Sequence, residues 1–397
     1  MLRSAAAALA VVIGVLMVPA PARAANVCQN APAQLPIAKG VPVEDQVYAP
    51  KRLNAVGTGR GVRVAVIDSG VAANAPQLRG HVDKGADFLH GDDSGRQDCI
   101  GHGTAVASII AAQPASDTGF QGLAPGVTIV PIRISEQEDI DGKAVGDRGT
   151  PKDFAQAIDW AVNNGDVQVI NLSLVMTAPN SLVEAAVKRA IAKGVVVVAA
   201  AGNHPDVGPK GGRTPYPAAY DGVIGVAATT ADGVRATFSQ FGTYVDIAAI
   251  GQDVTVAANG SGHDTDQGTS FAAPFVSATA ALIKQRFPDA TPDEVFRRLT
   301  ATTDPAPGGE DSLEYGKGLL NPYRAVTETL GGPRPPAAPV MMHGDDPATV
   351  ALTQRRAHSR NMALLFAGVG GGAVLLLGVG ALVVQRGRRR AWRPAGQ

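Results

Sequence analysis

Four polar residues of this sequence are of the types that carry out acyl transfer through a nucleophile. Ser270 lies in the segment GTSFAAP, His102 in GHGTAVA, Asp68 in VAVIDSG and Asn203 in VVAAAGN. A serine hydroxyl can attack a carbonyl carbon, an imidazole can take its proton, and a carboxylate can orient the imidazole. A side-chain amide and a backbone N–H can donate to the oxyanion that develops. The residue types therefore predict a nucleophile, a base, an orienting acid and an oxyanion donor.

Each of these residues also has a purely structural interpretation. Ser270 could only cap a helix, since a hydroxyl often accepts an orphan backbone N–H there. Asp68 could cap a turn, and Asn203 could occupy a left-handed turn position. His102 could be a loop histidine between permissive glycines. Considered singly, none of the four residues decides between structure and catalysis.

Segments rich in β-branched residues alternate with helical patterns along the middle of the chain. This alternation predicts an α/β fold with a mostly parallel sheet that helices cover on both faces. In such sheets, reactive groups collect at the carboxyl ends of the strands, where the loops open. Asp68 and Asn203 are expected at two such ends, and His102 and Ser270 at the starts of two helices. The expected strands lie at 61–71, 127–134, 167–174, 195–203, 222–228 and 244–250, and the expected helices at 102–112, 151–164, 181–194 and from 270 onward.

Five segments, in chain order, carry a resemblance to a known family. VAVIDSGV, GHGTAVASIIA, VINLSL, VVAAAGN and GTSFAAPFVSA resemble the signature segments of the subtilisin-like serine proteases, and the resemblance covers about residues 58–330. It implies a three-layer, subtilisin-like protease domain there, which acts on proteins or peptides. It also implies that Asp68, His102 and Ser270 form a catalytic triad and that Asn203 is the oxyanion donor.

The segment expected to bind substrate departs from the family's pattern. It reads Ser173-Leu174-Val175, whereas the family usually has Ser-Leu-Gly. A valine side chain occupies space where glycine lets backbone approach, so it should narrow the primary specificity pocket. We therefore expect a preference for small residues, such as alanine, immediately before the scissile bond.

The sequence suggests no cofactor and no metal. Residues 134–150 form a charged insertion, which we expect to be a solvated loop, because its acidic residues do not match the spacing of a calcium loop. The chain has 35 Lys and Arg against 35 Asp and Glu. This balance excludes the basic footprint of a nucleic-acid-binding protein, so no nucleic-acid partner is expected.

Both ends of the chain carry membrane signals. Residues 1–24 have a basic start, an apolar run and an Ala-Arg-Ala site, which is typical of a cleaved signal peptide, the alternative being an uncleaved anchor. Residues 362–384 contain no charge and are long enough to cross a bilayer, which predicts a transmembrane helix rather than a buried core helix.

The flanks of the predicted span indicate its orientation. Residues 331–361 begin Pro-rich and are expected to be an extended linker, and residues 385–397 form a basic tail. More arginines follow the span than precede it, which favours a cytoplasmic tail and an extracytoplasmic protease domain on the cell membrane.

The two cysteines, Cys28 and Cys99, are expected to form one disulfide, because an exported chain meets an oxidising compartment. Two free thiols are the alternative. The N-terminal extension, residues 25–57, is too short and Pro-rich for a folded inhibitory domain. A disulfide to Cys99 would make it a permanent brace beside His102.

The order of these segments narrows the resemblance. A signal peptide, a cysteine-containing extension, a Pro-rich stalk, one span and a basic tail resemble the mycosins, the membrane-anchored subtilases of type VII secretion systems in actinobacteria. That resemblance implies proteolysis of secreted substrates and association with the secretion membrane complex. The alternative is a mainly structural component of that complex, and the anchor argues against a nutritional exoprotease.

Overall fold

The computed structural model describes residue 28 and residues 32–91, 94–140, 143–204, 214–309 and 311–330. At its centre is a seven-stranded sheet whose paired neighbours all run parallel. This confirms the α/β fold with a mostly parallel central sheet. Across the sheet, the strands are β2 (Ala86–Asp87), β3 (Thr128–Arg133), β1 (Arg63–Asp68), β6 (Val169–Leu172), β7 (Val196–Ala200), β8 (Val223–Thr229) and β9 (Ile247–Ile250).

Helices cover both faces of this sheet, which gives three layers. Along β1, Val64 and Val66 belong to the apolar cluster on one face, whereas Ala65 and Ile67 belong to the cluster on the other. Side chains alternate along a strand, so a strand buried on both faces must be apolar throughout. The helices of the first face are α3 (His102–Ala111) and α6 (Thr269–Arg286), and those of the second are α4 (Pro151–Asn163) and α5 (Ser181–Ala192).

Local sequence determines where several helices begin. Thr150 and Asp153 form a reciprocal capping box at the start of α4, and Thr291 and Glu294 do the same for a later helix. Proline occupies the first helical position in both cases, where its missing N–H costs no hydrogen bond. The remaining elements are α1 (Val43–Tyr48), α2 (Pro50–Asn54), α7 (Pro292–Ala301), α8 (Pro322–Thr327) and the strands β10 (Val254–Ala257) and β11 (His263–Asp266).

The charged insertion at 134–150 differs from the expected loop. It contains an antiparallel hairpin of β4 (Glu138–Ile140) and β5 (Lys143–Val145). A further antiparallel bridge pairs Ser135 with Arg148, so the two ends of the insertion meet. The backbone hydrogen bonds of this pairing give the polar segment regular structure without an apolar core.

Three buried side chains attach the N-terminal segment to the protease domain. The Tyr48 hydroxyl accepts a hydrogen bond from the backbone N–H of Ile250 at 2.8 Å. Glu44 accepts from the N–H of Thr255 at 2.8 Å, and Asp45 from that of Gln121 at 3.1 Å. Since all three side chains are buried, residues 43–48 are integrated into the folded domain.

Cys28 and Cys99 form a disulfide, with their Cα atoms 5.0 Å apart. The bond closes a loop with a sequence separation of 71 residues and ties the N-terminal segment to the chain three residues before α3.

Other predicted segments lie outside the described residues. These are the signal peptide (1–24), the linker (331–361), the transmembrane helix (362–384) and the basic tail (385–397). Over the part of the chain that the structure describes, no helix is both long and apolar enough to span a bilayer.

Replacing Cys28 and Cys99 together by serine should lower the free energy of unfolding by about 4 kcal/mol, because the unfolded chain regains the entropy of the closed loop. Urea unfolding of both proteins, each also carrying Ser270→Ala to prevent self-cleavage, measures the difference. Adding a reductant should lower the free energy of unfolding of the protein that keeps both cysteines and leave that of the serine variant unchanged. Equal midpoints with and without the two cysteines would contradict the bracing role.

Candidate active site

The end of β1 and the start of α3 bring an acid and a base together. Asp68 is the last residue of β1, and His102 is the first residue of α3. The Asp68 carboxylate is 1% exposed, and its Oδ1 lies 2.7 Å from His102 Nδ1. The same oxygen accepts the backbone N–H of Ser69 at 2.8 Å. This geometry places the proton of the imidazole on Nδ1 and leaves Nε2 to act as the base.

A second buried carboxylate holds the start of α3 in place. Asp98 Oδ1 accepts hydrogen bonds from the Ser69 hydroxyl at 2.9 Å and from the Gly101 N–H at 2.8 Å. Its Oδ2 accepts from the Thr104 N–H at 2.8 Å and from the Thr104 hydroxyl at 2.6 Å. Asp98 thus caps the helix that begins at His102. Its negative charge also interacts favourably with the positive end of the helix dipole. The sequence analysis missed this residue, although an aspartate shortly before a predicted helix start is a recognisable signal.

The environment of His102 changes the proton affinity of its imidazole. Burial lowers its pKa, but the charge and hydrogen bond of Asp68, together with the charges of Asp98 and Asp266, outweigh burial and raise the pKa to about 9. The ring also lies against Phe271, with ring centroids 5.3 Å apart. The imidazole is therefore held in one orientation and is readily protonated.

Ser270 lies in the first turn of α6 and is tied to Ser173 by two hydrogen bonds. Ser173 Oγ donates to the Ser270 carbonyl at 2.7 Å, and Ser270 Oγ donates to the Ser173 carbonyl at 3.2 Å. Pro274 lacks an N–H, so the Ser270 carbonyl, four residues earlier, has no helical donor. The Ser173 hydroxyl takes the place of that donor and fixes the nucleophile candidate on the segment after β6.

Thr269 determines the orientation of the Asn203 side chain. Asn203 Oδ1 accepts from both the N–H and the hydroxyl of Thr269, each at 2.9 Å. Since a backbone N–H can only donate, the amide oxygen must face Thr269. Thr269 Oγ1 in turn accepts from the Gly202 N–H at 3.0 Å. The Asn203 NH₂ group is therefore the part of the amide that can donate to a ligand beside Ser270.

One cleft of about 770 Å³ contains all the residues singled out for chemistry or substrate binding. The sequence analysis expected these groups at one edge of the sheet, and the fold brings residues as distant in the chain as Asp68 and Ser270 into one cleft. The lining includes Asp68, His102, Asn203, Ser270, Ser173, Leu174 and Val175.

The cleft also contains residues that the sequence analysis did not single out. Ala33 and Leu35 come from the N-terminal segment, which runs beside residue Ser261 through a parallel bridge at Gln34. The charged side chains of Arg148, Asp264 and Asp266 line the cleft as well. In the sequence, these three residues lie in polar segments typical of solvated loops. Only their position in the fold distinguishes them from other charged surface residues.

Comparison with known proteins agrees with this geometry. Residues 59–318 match the model of the Subtilase family. Subtilisin Savinase of Lederbergia lenta is 38% identical over 281 residues, which cover 71% of this chain and 96% of that protein. The solved MycP3 protease from the type VII (ESX-3) secretion system aligns with a TM-score of 0.64 and 30% identity, over 74% of this chain and 91% of that one. MycP1 from Mycobacterium smegmatis aligns with a TM-score of 0.64 and 29% identity, over 79% and 93%.

These matches confirm the resemblance to the subtilisin-like proteases and, among them, to the mycosins. The match of the family model covers well over half of the chain, and it includes every strand of the central sheet. The chain therefore belongs to the subtilase family, and it is a subtilisin-like serine endopeptidase.

Proposed function

We propose that the chain is a membrane-anchored, extracytoplasmic endopeptidase that processes secreted substrates of a type VII secretion system. Asp68, His102 and Ser270 are its triad, and the Asn203 amide and the Ser270 N–H form its oxyanion hole. The observation that carries the proposal is the 2.7 Å contact between Asp68 and His102, in the same cleft as Ser270 and Asn203.

In the first half of the proposed reaction, a peptide carbonyl enters the cleft and the Ser270 hydroxyl turns from the Ser173 carbonyl towards His102 Nε2. Catalytic hydrogen bonds of this kind commonly tighten only once substrate is bound. Oγ then bonds to the carbonyl carbon while Nε2 takes its proton. Asp68 stabilises the imidazolium, and the Asn203 amide stabilises the oxyanion.

In the second half, His102 returns the proton to the leaving amine, the C–N bond breaks, and an acyl-enzyme remains on Ser270. Water, deprotonated by the same imidazole, attacks the ester carbonyl. Hydrolysis releases the new carboxyl group and restores the serine hydroxyl. Ser173, Leu174 and Val175 line the part of the cleft that binds the acyl side of the substrate, where Val175 favours a small residue.

The membrane and secretion parts of the proposal rest on different support. The charge-free run at 362–384 and its basic flank support a single span with the protease domain outside. Two of the similar solved structures are MycP proteases, one of them described as part of a type VII secretion system. A mainly structural role in the membrane complex is the competing function for the same chain.

Ser270→Ala should abolish peptide-bond hydrolysis and leave the fold intact, because only the nucleophilic hydroxyl is removed. His102→Ala should cost about as much activity, since the members of a triad act as a unit. Turnover of a peptide and the circular dichroism of each variant measure both effects. Wild-type turnover by Ser270→Ala would contradict the assignment. Cells that lack the protein can be given Ser270→Ala as their only copy. If these cells secrete the substrates again but do not cleave them, the structural role is favoured.

Asn203→Ala should lower kcat by roughly a hundredfold to a thousandfold with little change in KM, the usual effect of losing one oxyanion donor. Asn163→Ala, on the exposed side of α4, serves as the matched control and should keep wild-type kinetics. Steady-state kinetics on one peptide measure both parameters. A change confined to KM would make Asn203 a binding residue.

The value of kcat/KM should rise with pH, about tenfold per unit, and level off near pH 9. Only the neutral imidazole of His102 can accept the serine proton, and its pKa is raised to about 9. Asp266→Asn removes a negative charge that favours the imidazolium, so the midpoint should move to lower pH. Asp232→Asn, at an exposed site outside the cleft, should leave the midpoint in place. A flat profile between pH 6 and pH 10 would contradict the raised pKa.

A further inference from the structure

The cleft that contains Ser270 is lined by residues of opposite charge, Arg148 on the one hand and Asp264 and Asp266 on the other. Arg148 is bonded to Val175, whereas the charge of Asp266 acts on His102. Among the side chains that the structure describes, which leave out those of residues 138–145, none of the three forms an ion pair with an oppositely charged Lys, Arg, Asp or Glu side chain. Charges that line a cleft without a partner are available to a ligand.

Arg148 is anchored by one hydrogen bond and has further donors to offer. Its NH2 group donates to the Val175 carbonyl at 2.9 Å. A guanidinium has five N–H donors in a planar fork, so most of them remain for a carboxylate. Arg148 is an exposed residue, and partial desolvation of its guanidinium lowers the pKa of the group. The bond to Val175 restricts the side chain and so reduces the entropy lost when a ligand binds.

The position of Arg148 relates it to substrate residues before the scissile bond. In the proposed function, on which this inference rests, the acyl side of the substrate runs along Ser173–Val175, with Ser173 beside Ser270. Val175 is two residues further along, at about 3.3 Å per residue of extended chain. By this spacing, the guanidinium bonded to the Val175 carbonyl lies opposite the third or fourth residue before the scissile bond, whereas the Val175 side chain borders the pocket for the residue immediately before that bond.

Arg148 also lies at the boundary of a second, adjoining pocket of about 350 Å³. Apolar side chains of Ile134, Phe154, Leu174 and Met176 line that pocket, so it offers no competing carboxylate to the guanidinium. No described residue lining this pocket offers a carboxylate to Arg148, so a carboxylate of the substrate can bind there.

The two aspartates of the cleft both come from β11. Asp264 and Asp266 are alternate residues of β11, so their side chains point to the same face of that strand. Asp266 lines the same cleft as His102, and its charge raises the pKa of the His102 imidazole. Since His102 delivers its proton to the leaving amine, β11 borders the residues after the scissile bond.

We propose that this cleft selects its substrates by the order of their charges. It binds an acidic residue three or four positions before the scissile bond through Arg148. It binds a basic residue directly after that bond through Asp264 and Asp266. The preferred substrate is thus an extended segment in which negative charge precedes, and positive charge follows, a small residue such as alanine.

Two end-blocked peptides of identical composition test the proposal. Their central sequences are Glu-Glu-Ala-Ala-Lys-Lys and Lys-Lys-Ala-Ala-Glu-Glu, and mass spectrometry locates cleavage after the second alanine. At low salt, kcat/KM for the acid-first peptide should be about tenfold higher or more, the combined effect of several modest charge contacts. In 1 M salt, where the Debye length falls to about 3 Å, the preference should shrink.

Variants assign the preference to each side of the cleft. Arg148→Gln should reduce the ratio of the two kcat/KM values about three- to fivefold, and Arg148→Lys should keep part of it. Asp264→Asn should reduce the ratio to a similar degree. Arg297→Gln and Asp232→Asn, at exposed sites outside the cleft, are the matched controls and should leave the ratio unchanged.

The outcomes separate this inference from the proposed function. If the wild-type protein cleaves neither peptide nor a mixed peptide library, the proposed function fails. Cleavage of both peptides at equal rates, with Ser270→Ala inactive, would overturn the charge selection and leave the triad assignment standing. If Arg148→Gln lowers kcat/KM equally for both peptides, Arg148 only supports Val175, and the selection by Arg148 is overturned.

Discussion

The buried Asp68 carboxylate is the constraint on which the cleft depends. A carboxylate at the end of a covered strand is costly unless hydrogen bonds compensate its lost hydration. His102 Nδ1 and the Ser69 N–H supply them. The start of α3 must therefore lie directly against the end of β1, and the residue that begins the helix must be able to donate a hydrogen bond to Asp68.

This close approach depends on small residues and on a second set of buried hydrogen bonds. A Cβ atom at Gly103 would lie 2.1 Å from the Gly70 carbonyl oxygen, so only glycine allows α3 to approach β1 this closely. Behind the turn, the fully buried Arg133 pairs with Asp87 at 3.1 Å and donates through Nε to the Ser69 carbonyl. A buried ion pair contributes little net stability, but breaking one is costly, so the turn after β1 is well determined.

The N-terminal segment is part of the cleft as well as part of the brace. Tyr48 and two buried carboxylates attach it to the end of β9, to β10 and to the loop at Gln121. Burial raises the pKa of Asp45 to about 7. Further towards the N-terminus, Ala33 and Leu35 line the cleft itself. Loss of this segment would therefore change the lining of the cleft.

The sequence by itself determined the α/β class, six of the seven strands of the central sheet and the four helices that cover it. These follow from local signals: β-branched runs and helical patterns, which also place Asp68 at a strand end and Ser270 at a helix start. The catalytic roles of the four polar residues are what the resemblance of five segments implies. Even so, local patterns overestimated the strand expected at 195–203, which ends at Ala200, and missed the hairpin within 134–150. Apolar content does not show where a chain leaves a sheet, and two short polar strands lack the periodicity of a buried one.

Only the tertiary structure decided which distant groups meet and how they are oriented. Thr269 turns the Asn203 amide, Ser173 replaces the helical donor that Pro274 lacks, and Asp98 caps the helix of the base. Each of these contacts joins residues on different elements or depends on a specific rotamer, for which one linear sequence carries no pattern. The charges of Arg148 and of the β11 aspartates belong to the same class. In the sequence they are ordinary surface residues, and the fold brings them into the cleft that contains Ser270.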